Sequence, residues 1–430
     1  MNYNERLNKL IPGGAHTYSR GVDQYPENAP QILEKGEGAY VFDPDGSKYI
    51  DYGMGLRTVT IGYGYEPITD AAIEQIRKGN NLTRPSTIEL KAAEVITSLI
   101  PCAEMVKFAK NGSTVTTAAV KLARAYTDRK YIAVCTEHPF FSYDDWFIGS
   151  TPMNRGIPEE IKSLTIKFKY NNINSLSELF VQYKNKIAAV ILEPVTVEPP
   201  VDNFLHKVKD LCNKNGSVFI LDEMITGFRW HLQGAHKYFD VMPDLATFGK
   251  GMANGFSVAA LVGKKEIMDL GGILDPKQER VFLISTTHGA EMSGLGAFVK
   301  TVDVYKELDV VGHMWNYGKK LIDGTNEIAK KHGILDHFKM TGYPCSPVYI
   351  TKDKHKEDSL AFRTLFAQEM INNKVLMPCI ALCYQHGELE LDATLVAIDN
   401  SLKIYAEALE EDVSKYLKSK PVKPVFRKIN

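Results

Sequence analysis

"KIAAVILEPV", "VDNFLHKVKDLCNKNG" and "SVFILDEMITGF" occupy residues 186–195, 201–216 and 217–228 and decide the fold. The first and third stretches are almost continuously apolar, which is typical of strands buried on both faces of a parallel sheet. Between them, apolar residues recur every three or four positions, and this spacing predicts a helix from Asp202 to Gly216. A strand, a helix and a second strand in this order indicate an α/β fold built on a mostly parallel sheet.

The same alternation of short apolar runs and amphipathic stretches predicts the domain organisation. It extends over about residues 60–305, which we interpret as a large α/β domain. Residues 306–430 contain long helical patterns around shorter strand-like runs and are predicted to form a smaller α+β domain. Residues 1–59 include "GAYVFDPDGSKYIDY", a predicted hairpin with Asp45-Gly46 at its turn, and are expected to pack with the small domain.

Composition limits the classes of function. The 430 residues are 44% hydrophobic and 24% charged with a net charge of −1, which argues against nucleic acid or an anionic membrane surface as the main partner. The beginning of the sequence is polar, so we expect no signal peptide, and no apolar run approaches the length of a membrane helix. None of the six cysteines forms a C-x-x-C pair. Buried free thiols and a cytoplasmic location are therefore expected, and no metal site is predicted.

Three stretches contain residues suited to chemistry. Asp222 ends a predicted strand, where ligands of open parallel sheets bind, although a helix cap or loop acid is an equal alternative. Gly112, Ser113 and Thr114 open a predicted helix, where a phosphate would meet free N–H groups and a favourable dipole. Taken alone, this turn is better explained as a plain Ser/Thr N-cap. Lys250 lies between two glycines in "FGKGMANG", and a partly desolvated lysine is a nucleophile toward carbonyl groups.

Together, these groups match the requirements of pyridoxal 5′-phosphate (PLP). This cofactor needs an amine that binds its aldehyde covalently, a carboxylate that keeps its pyridine ring protonated, and an anchor for its phosphate. Lys250, Asp222 and the turn at Gly112 would supply these three functions.

The sequence resembles the class III (subgroup II) aminotransferases of PLP fold type I, and within them the glutamate-1-semialdehyde 2,1-aminomutase branch. The resemblance extends over nearly the whole chain. It rests on the following motifs: "IPGG", the "GAYVFDPDGSKYIDY" hairpin, "RPSTIELKAAE", "NGSTVTTAAVKLARAYT", "ILEPV", "FILDEMITGFR", "FGKGMANG" and "STTHGAEMSG". The fold it implies has a large, mostly parallel α/β domain and a smaller α+β C-terminal domain, as in aspartate aminotransferase.

The resemblance implies a role for each matching residue. Lys250 is the lysine that binds PLP covalently and moves the proton, and Asp222 is the partner of the ring nitrogen. The other cofactor-binding positions are Gly112, Ser113 and Thr114 at the phosphate, Phe140 and Met224 on the two ring faces, Glu193 beside the ring hydroxyl, and Thr286. Thr286 matches a threonine that reaches the phosphate of the other subunit, which implies a homodimer with shared active sites.

The substrate side departs from the family. Arg20 matches an arginine that binds a substrate carboxylate, and Arg57 lies beside Leu56, which replaces the usual tryptophan. We interpret both arginines as substrate-binding candidates, with a structural arginine as the alternative. We interpret three histidines, at positions 138, 288 and 386, as pocket or core residues rather than catalytic ones.

Three functions are compatible with this pattern. The first is an aminotransferase that moves an amino group from an amino-acid donor to a small aldehyde or ketone, with a surface-glycan or modified-sugar acceptor as the specific expectation. The second is glutamate-1-semialdehyde 2,1-aminomutase. The third is a PLP-binding protein without turnover, which the presence of both Lys250 and Asp222 disfavours.

Overall fold

The computed structural model describes residues 2–138, 140–289 and 291–429. Within these residues, the strands are β1 (Lys35–Glu37), β2 (Tyr40–Phe42), β3 (Lys48–Asp51), β4 (Met105–Ala109), β5 (Tyr131–Cys135), β6 (Thr165–Phe168), β7 (Ile187–Leu192), β8 (Val218–Asp222), β9 (Leu245–Phe248), β10 (Ala259–Gly263), β11 (Phe338–Tyr343), β12 (Ser346–Thr351) and β13 (Val375–Leu376).

The helices of the same residues are α1 (Tyr3–Leu10), α2 (Met54–Arg57), α3 (Glu66–Arg77), α4 (Thr87–Leu99), α5 (Gly112–Thr127), α6 (Asp145–Ile148), α7 (Glu159–Lys162), α8 (Ile173–Gln182), α9 (Phe204–Asn215), α10 (Ala235–Tyr238), α11 (Lys265–Met268), α12 (Met292–Leu308), α13 (Val310–Lys331), α14 (Leu360–Asn372) and α15 (Glu388–Glu410).

The chain divides into two compact units. The first combines residues up to 65 with 312–427, and the second comprises 66–311. The domain boundaries predicted from the sequence, at 60–305 and 306–430, stay a prediction about where separate domains begin and end.

The second unit is built on a seven-stranded sheet with the order β4-β10-β9-β8-β7-β5-β6. The pairs from β9 to β6 are parallel, and β10 pairs antiparallel with both β9 and β4. Every residue of β7 and β8 is buried, as the continuous apolar runs predict. Helices α8 and α9 cover part of this sheet and form a core with the inward side chains of β5 to β8. The predicted mostly parallel α/β sheet is therefore present.

The helix between β7 and β8 begins later than the sequence predicts. Asp202 and Asn203 have φ values of 51° and 56° in the left-handed region, so helical geometry starts at Phe204 rather than at Asp202. Gly216, with a φ of 61°, ends the helix at the predicted position because glycine adopts this conformation without strain.

The first unit contains a four-stranded sheet with the order β1-β2-β3-β13 and the separate β11-β12 hairpin. Strands β2 and β3 pair antiparallel around a turn in which Gly46 has a φ of 81°, so the predicted hairpin is confirmed. The short strand β13 joins β3 in parallel and brings a late part of the chain against the N-terminal segment. Helices α14 and α15 pack against each other in this unit.

Candidate active site

The carboxyl ends of the parallel strands gather the predicted catalytic residues of the second unit. Asp222 is the last residue of β8, and Glu193 directly follows the neighbouring β7. Thr247 of β9 lies opposite Asp222 in the strand register, and Lys250 follows two residues after β9 ends. Open parallel sheets bind their ligands at this edge, so the topology alone brings an acid and an amine to one site.

Asp222 is a carboxylate held in a buried, polar setting. Only 2% of the residue is exposed, and its Oδ1 accepts hydrogen bonds from the Met224 N–H at 3.0 Å and the Thr247 hydroxyl at 2.9 Å. Burial raises the pKa of Asp222 to about 6, while the nearby Lys250 ammonium and the two hydrogen bonds act in the opposite direction. The charged form of this buried carboxylate is stabilised only in part, and a cation close to it would stabilise it further.

Lys250 begins a short 3-10 turn, Lys250–Ala253, with a φ of 42°. This left-handed conformation costs free energy in a residue with a Cβ atom, so the surrounding structure must hold it in place. The residue is half-buried, and its charge acts on the Asp222 carboxylate.

Met224 is enclosed by two glycines. A Cβ atom at Gly112 would approach the Met224 Sδ to 2.9 Å, and one at Gly249 would approach the same atom to 2.6 Å. Both distances are too short for a real Cβ contact, so the glycines allow Met224 to lie where it does. Gly249, which the sequence analysis did not single out, belongs to the site for this reason.

The first turn of α5 forms a second part of the site. Asn111 caps this helix by accepting the Thr114 N–H at 2.9 Å, which leaves Gly112 and Ser113 at its positive end. The Ser113 hydroxyl accepts the Tyr143 N–H at 3.0 Å and fixes the loop that carries Phe140. The sequence predicted the helix start but not Asn111 as its cap.

The loop after β5 connects the two parts. His138 is buried, and its Nδ1 accepts the backbone N–H of Glu193 at 3.0 Å, which fixes the hydrogen of the neutral ring on Nε2. Burial lowers the pKa of His138 to about 4. Glu193 is also buried, whereas Phe140 is 43% exposed and meets Phe147 edge to face.

The remaining predicted cofactor residue and one of the histidines lie on the surface. Thr286 and His288 are exposed in the segment before α12, where the Gly289 N–H donates to the Thr286 carbonyl oxygen at 3.2 Å, and Asn81 lies within hydrogen-bond distance of the His288 Nδ1, at 3.3 Å. His288 is therefore not a core residue, and its place in a pocket stays a prediction. His386, in contrast, is a core residue of the first unit, stacked on Tyr52.

The two candidate substrate arginines both belong to the first unit. Arg20 is exposed and lines a cavity of about 820 Å³ together with Tyr25, Asp51 and Leu56. The Asp51 carboxylate accepts the N–H groups of residues 53 and 54 and the hydroxyl of residue 63, so it is already satisfied.

Arg57 has a different environment from Arg20. Its Nη1 donates to the Ser346 hydroxyl at 2.8 Å, and Arg57 does not line the cavity that Arg20 lines. Met54, Leu56 and Arg57 have φ values of 40°, 61° and 71° in a turn that places Leu56 against the cavity. No pattern in the sequence signals this left-handed turn, because only one of its residues is a glycine.

The described part of the chain offers neither a metal site nor a membrane-spanning helix. There, no group of three or more histidine, cysteine or acidic side chains could hold a metal ion, and all six cysteines are free thiols. Likewise, none of the helices in residues 2–138, 140–289 and 291–429 is both long and apolar enough to cross a bilayer.

Known proteins resemble this chain in sequence and in fold. The class-III aminotransferase family model matches residues 22–372. The 3-aminobutyryl-CoA aminotransferase of Cloacimonas acidaminovorans is 32% identical over 94% of this chain and 96% of its own length. The glutamate-1-semialdehyde 2,1-aminomutase of Francisella philomiragia is 32% identical over 86% of this chain and 89% of its own.

Among solved structures, the FumI protein of Sphingopyxis sp. MTA144, in its PLP internal aldimine form, superimposes with a TM-score of 0.87. The superposition covers 98% of both chains at 24% sequence identity, so it shows that the fold is shared. The predicted α/β fold of this type is thereby confirmed.

Proposed function

The chain belongs to the class-III aminotransferase family, and from this premise we propose that it uses PLP to move an amino group from an amino-acid donor to an aldehyde or ketone. The members of this family that it resembles are PLP-dependent aminotransferases and aminomutases, and this chain is an enzyme of that kind. The observation that carries the proposal is the position of Asp222 and Lys250 at the same carboxyl edge of the sheet, where the charge of Lys250 acts on the Asp222 carboxylate.

The residues at this edge fit PLP. A protonated ring nitrogen beside Asp222 would stabilise the charge of this buried carboxylate. Met224, enclosed by Gly112 and Gly249, offers an apolar surface for one face of a flat ring. When bound, PLP supplies an aldehyde that an amine can bind covalently and a ring that takes up electrons from the substrate.

In this proposal, each residue of the second unit has a defined task. The Nζ of Lys250 would hold the aldehyde of PLP covalently, and as a free amine it would accept and donate the proton that moves during amino transfer. Asp222 keeps the proton on the ring nitrogen. Glu193 would lie beside the ring hydroxyl, and Phe140 would cover the ring face opposite Met224.

The phosphate would lie at the start of α5. Gly112, Ser113 and Thr114 form its first turn, where amide groups and the helix dipole attract an anion. We further propose a homodimer in which Thr286 reaches the phosphate of the second subunit. Thr286 is exposed, and the segment before it also exposes Ile273, Leu274 and Phe282 at 72%, 91% and 75%, as expected for a surface covered by a partner.

On the substrate side, we propose Arg20 as the residue that binds a substrate carboxylate. It lines the cavity of about 820 Å³, whose volume suits a small organic molecule. Arg57 is the weaker candidate, because its guanidinium already donates to Ser346. A sugar-derived carbonyl compound remains the specific acceptor that we expect.

A second function, glutamate-1-semialdehyde 2,1-aminomutase, is favoured by one observation. Several relatives at 30–32% identity carry that name, and the alignments cover 86–93% of this chain. An aminomutase needs no external amino donor, and this difference separates the two functions.

The test begins with the absorbance of the purified holoenzyme. A visible band that disappears when an amino donor such as glutamate is added supports an aminotransferase, and the aminated enzyme is then screened against aldehydes and ketones, including keto sugars. Formation of 5-aminolevulinate from glutamate-1-semialdehyde without a donor identifies the aminomutase. If bound PLP reacts with neither, the chain is a PLP-binding protein without turnover and the proposal is wrong.

A further inference from the structure

Thr247 is buried in β9 and is hydrogen-bonded to Asp222, the last residue of β8, and to Glu223, which follows it. Its hydroxyl donates to the Asp222 Oδ1 at 2.9 Å, and its carbonyl oxygen accepts the Glu223 N–H at 2.9 Å. None of its surface is exposed. One residue thus fixes the main chain and the side chain at the end of β8, three positions before Lys250.

The hydrogen bond of the Thr247 hydroxyl does more than give this buried hydroxyl a partner. A buried threonine in a strand is satisfied by any nearby carbonyl oxygen, but here the hydrogen goes to a carboxylate, which forms the stronger type of hydrogen bond. With the Met224 N–H at 3.0 Å, it gives Oδ1 two donors. Two donors on one oxygen fix the plane of the carboxylate and therefore the direction of Oδ2.

The same contact affects the charge of Asp222. Burial raises the pKa of this carboxyl to about 6, and the Glu223 carboxylate acts in the same direction, whereas Lys250, the Met224 N–H and the Thr247 hydroxyl lower it. These are the charged and polar groups that act on Asp222 from β8, β9 and the turn that follows β9. Loss of the hydroxyl would leave a larger fraction of Asp222 protonated near neutral pH.

We propose that Thr247 is a positioning residue, which holds the Asp222 carboxylate in the orientation and charge state needed to pair with the protonated ring nitrogen of PLP. This inference rests on the proposed function, since it assumes that Asp222 meets the ring. Thr247 itself need not touch the cofactor.

The experiment compares Thr247→Val with Thr247→Ser. Valine keeps the branched shape and removes the hydroxyl, while serine keeps the hydroxyl. The affinity of the PLP-free protein for PLP is measured by fluorescence titration from pH 5 to 8.5. With valine, we expect the acid side of the profile to move up by about one pH unit, so that the affinity for PLP is about tenfold weaker near pH 5. With serine, the wild-type profile is expected. Thr247→Ala removes the hydroxyl without a branched side chain and replaces valine if that variant does not fold.

A purely structural role would lower the affinity by the same factor at every pH, and that result overturns the proposal, as does a wild-type profile in the valine or alanine variant. The wild-type protein in the same series separates this inference from the proposed function. If the wild type binds no PLP, the proposed function fails. If it binds PLP and loss of the hydroxyl changes nothing, only the role of Thr247 fails.

Discussion

At the scale of single residues, the proposed chemistry depends most on the amine of Lys250. We expect Lys250→Ala to abolish amino transfer, because the variant has neither the covalent link nor the proton-carrying base. Non-covalent PLP binding through Asp222 and the α5 turn should persist. The measurement is the mass of the denatured protein after borohydride reduction in the presence of PLP.

The wild type should gain the mass of one reduced cofactor and the variant should not. Lys184→Ala, a change of an exposed lysine in the same unit, is the control and should behave as wild type. A cofactor adduct on the Lys250 variant would place the covalent link on another lysine and contradict the assignment.

The buried charge of Asp222 lowers the stability of the folded protein near neutral pH. Its pKa is about 6 in the folded protein without PLP and near 3.8 in the unfolded chain, so the folded state binds the proton more tightly. The contribution of this group to stability is therefore fully present below pH 3.8 and is lost as the pH rises through 6. Two pKa units correspond to about 3 kcal/mol.

Asp222→Asn removes this charge, and we predict that it stabilises the PLP-free protein at pH 8 by up to about 3 kcal/mol. The gain should shrink as the pH falls toward 4. Denaturant unfolding at several pH values measures it, and PLP affinity and turnover should fall in the same variant. An asparagine variant that is less stable than wild type at pH 8 would show that Asp222 is not a strained charge.

At the scale of elements, the sequence predicts the strands of the site and the edge of the sheet at which the site residues meet. Continuous apolar runs predict β7 and β8 as buried parallel strands, and parallel strands bring Glu193 and Asp222 to one edge. The local conformations could not be predicted. Asp202 and Asn203 adopt a left-handed backbone that delays α9, and although Asp and Asn favour this conformation more than other residues with a side chain, the same residues also commonly cap helices, so the sequence does not decide between the two.

One carboxylate, that of Glu223, holds the loop after β8 in place through its hydrogen bonds. The sequence did not predict this structural role. The fully buried Glu223 accepts the Thr226 hydroxyl at 2.6 Å, the Ala235 N–H at 2.7 Å, the His236 N–H at 2.7 Å and the His236 Nδ1–H at 2.9 Å. Acid and donors are separated by up to thirteen residues, and no short motif connects them.

We predict that Glu223→Ala destabilises the protein by more than about 3 kcal/mol, because it leaves these donors buried without an acceptor. Glu159, an exposed glutamate of α7, is the matched control, and Glu159→Ala should change stability by less than about 0.5 kcal/mol. The melting temperatures of the two variants measure the difference. Equal effects would mean that the loop is held by other contacts.

At the scale of the whole molecule, each of the two units contains a buried neutral histidine. His138 in the second unit and His386 in the first have pKa values near 4, because burial disfavours the charged ring. His386 accepts the Cys383 N–H on Nδ1 and lies with Nε2 at 3.1 Å from the Asp51 carbonyl oxygen, which defines its neutral form. Neither ring takes up a proton without loss of its contacts.

These histidines predict how the molecule responds to acid. Because their pKa values are about 4 when folded and 6.5 when unfolded, their contribution to stability is present above pH 6.5 and is lost as the pH falls toward 4. Asp222 acts in the opposite direction over this range, so calorimetry between pH 7.5 and 4.5 compares variants with wild type: the melting temperatures of His138→Gln and His386→Gln should fall less on acidification than that of the wild type. If the two units unfold together, either substitution flattens a single shared transition. If they unfold separately, each substitution makes only the melting temperature of its own unit depend less on pH. If the melting temperatures of both variants depend on pH as steeply as that of wild type, other groups cause the acid sensitivity.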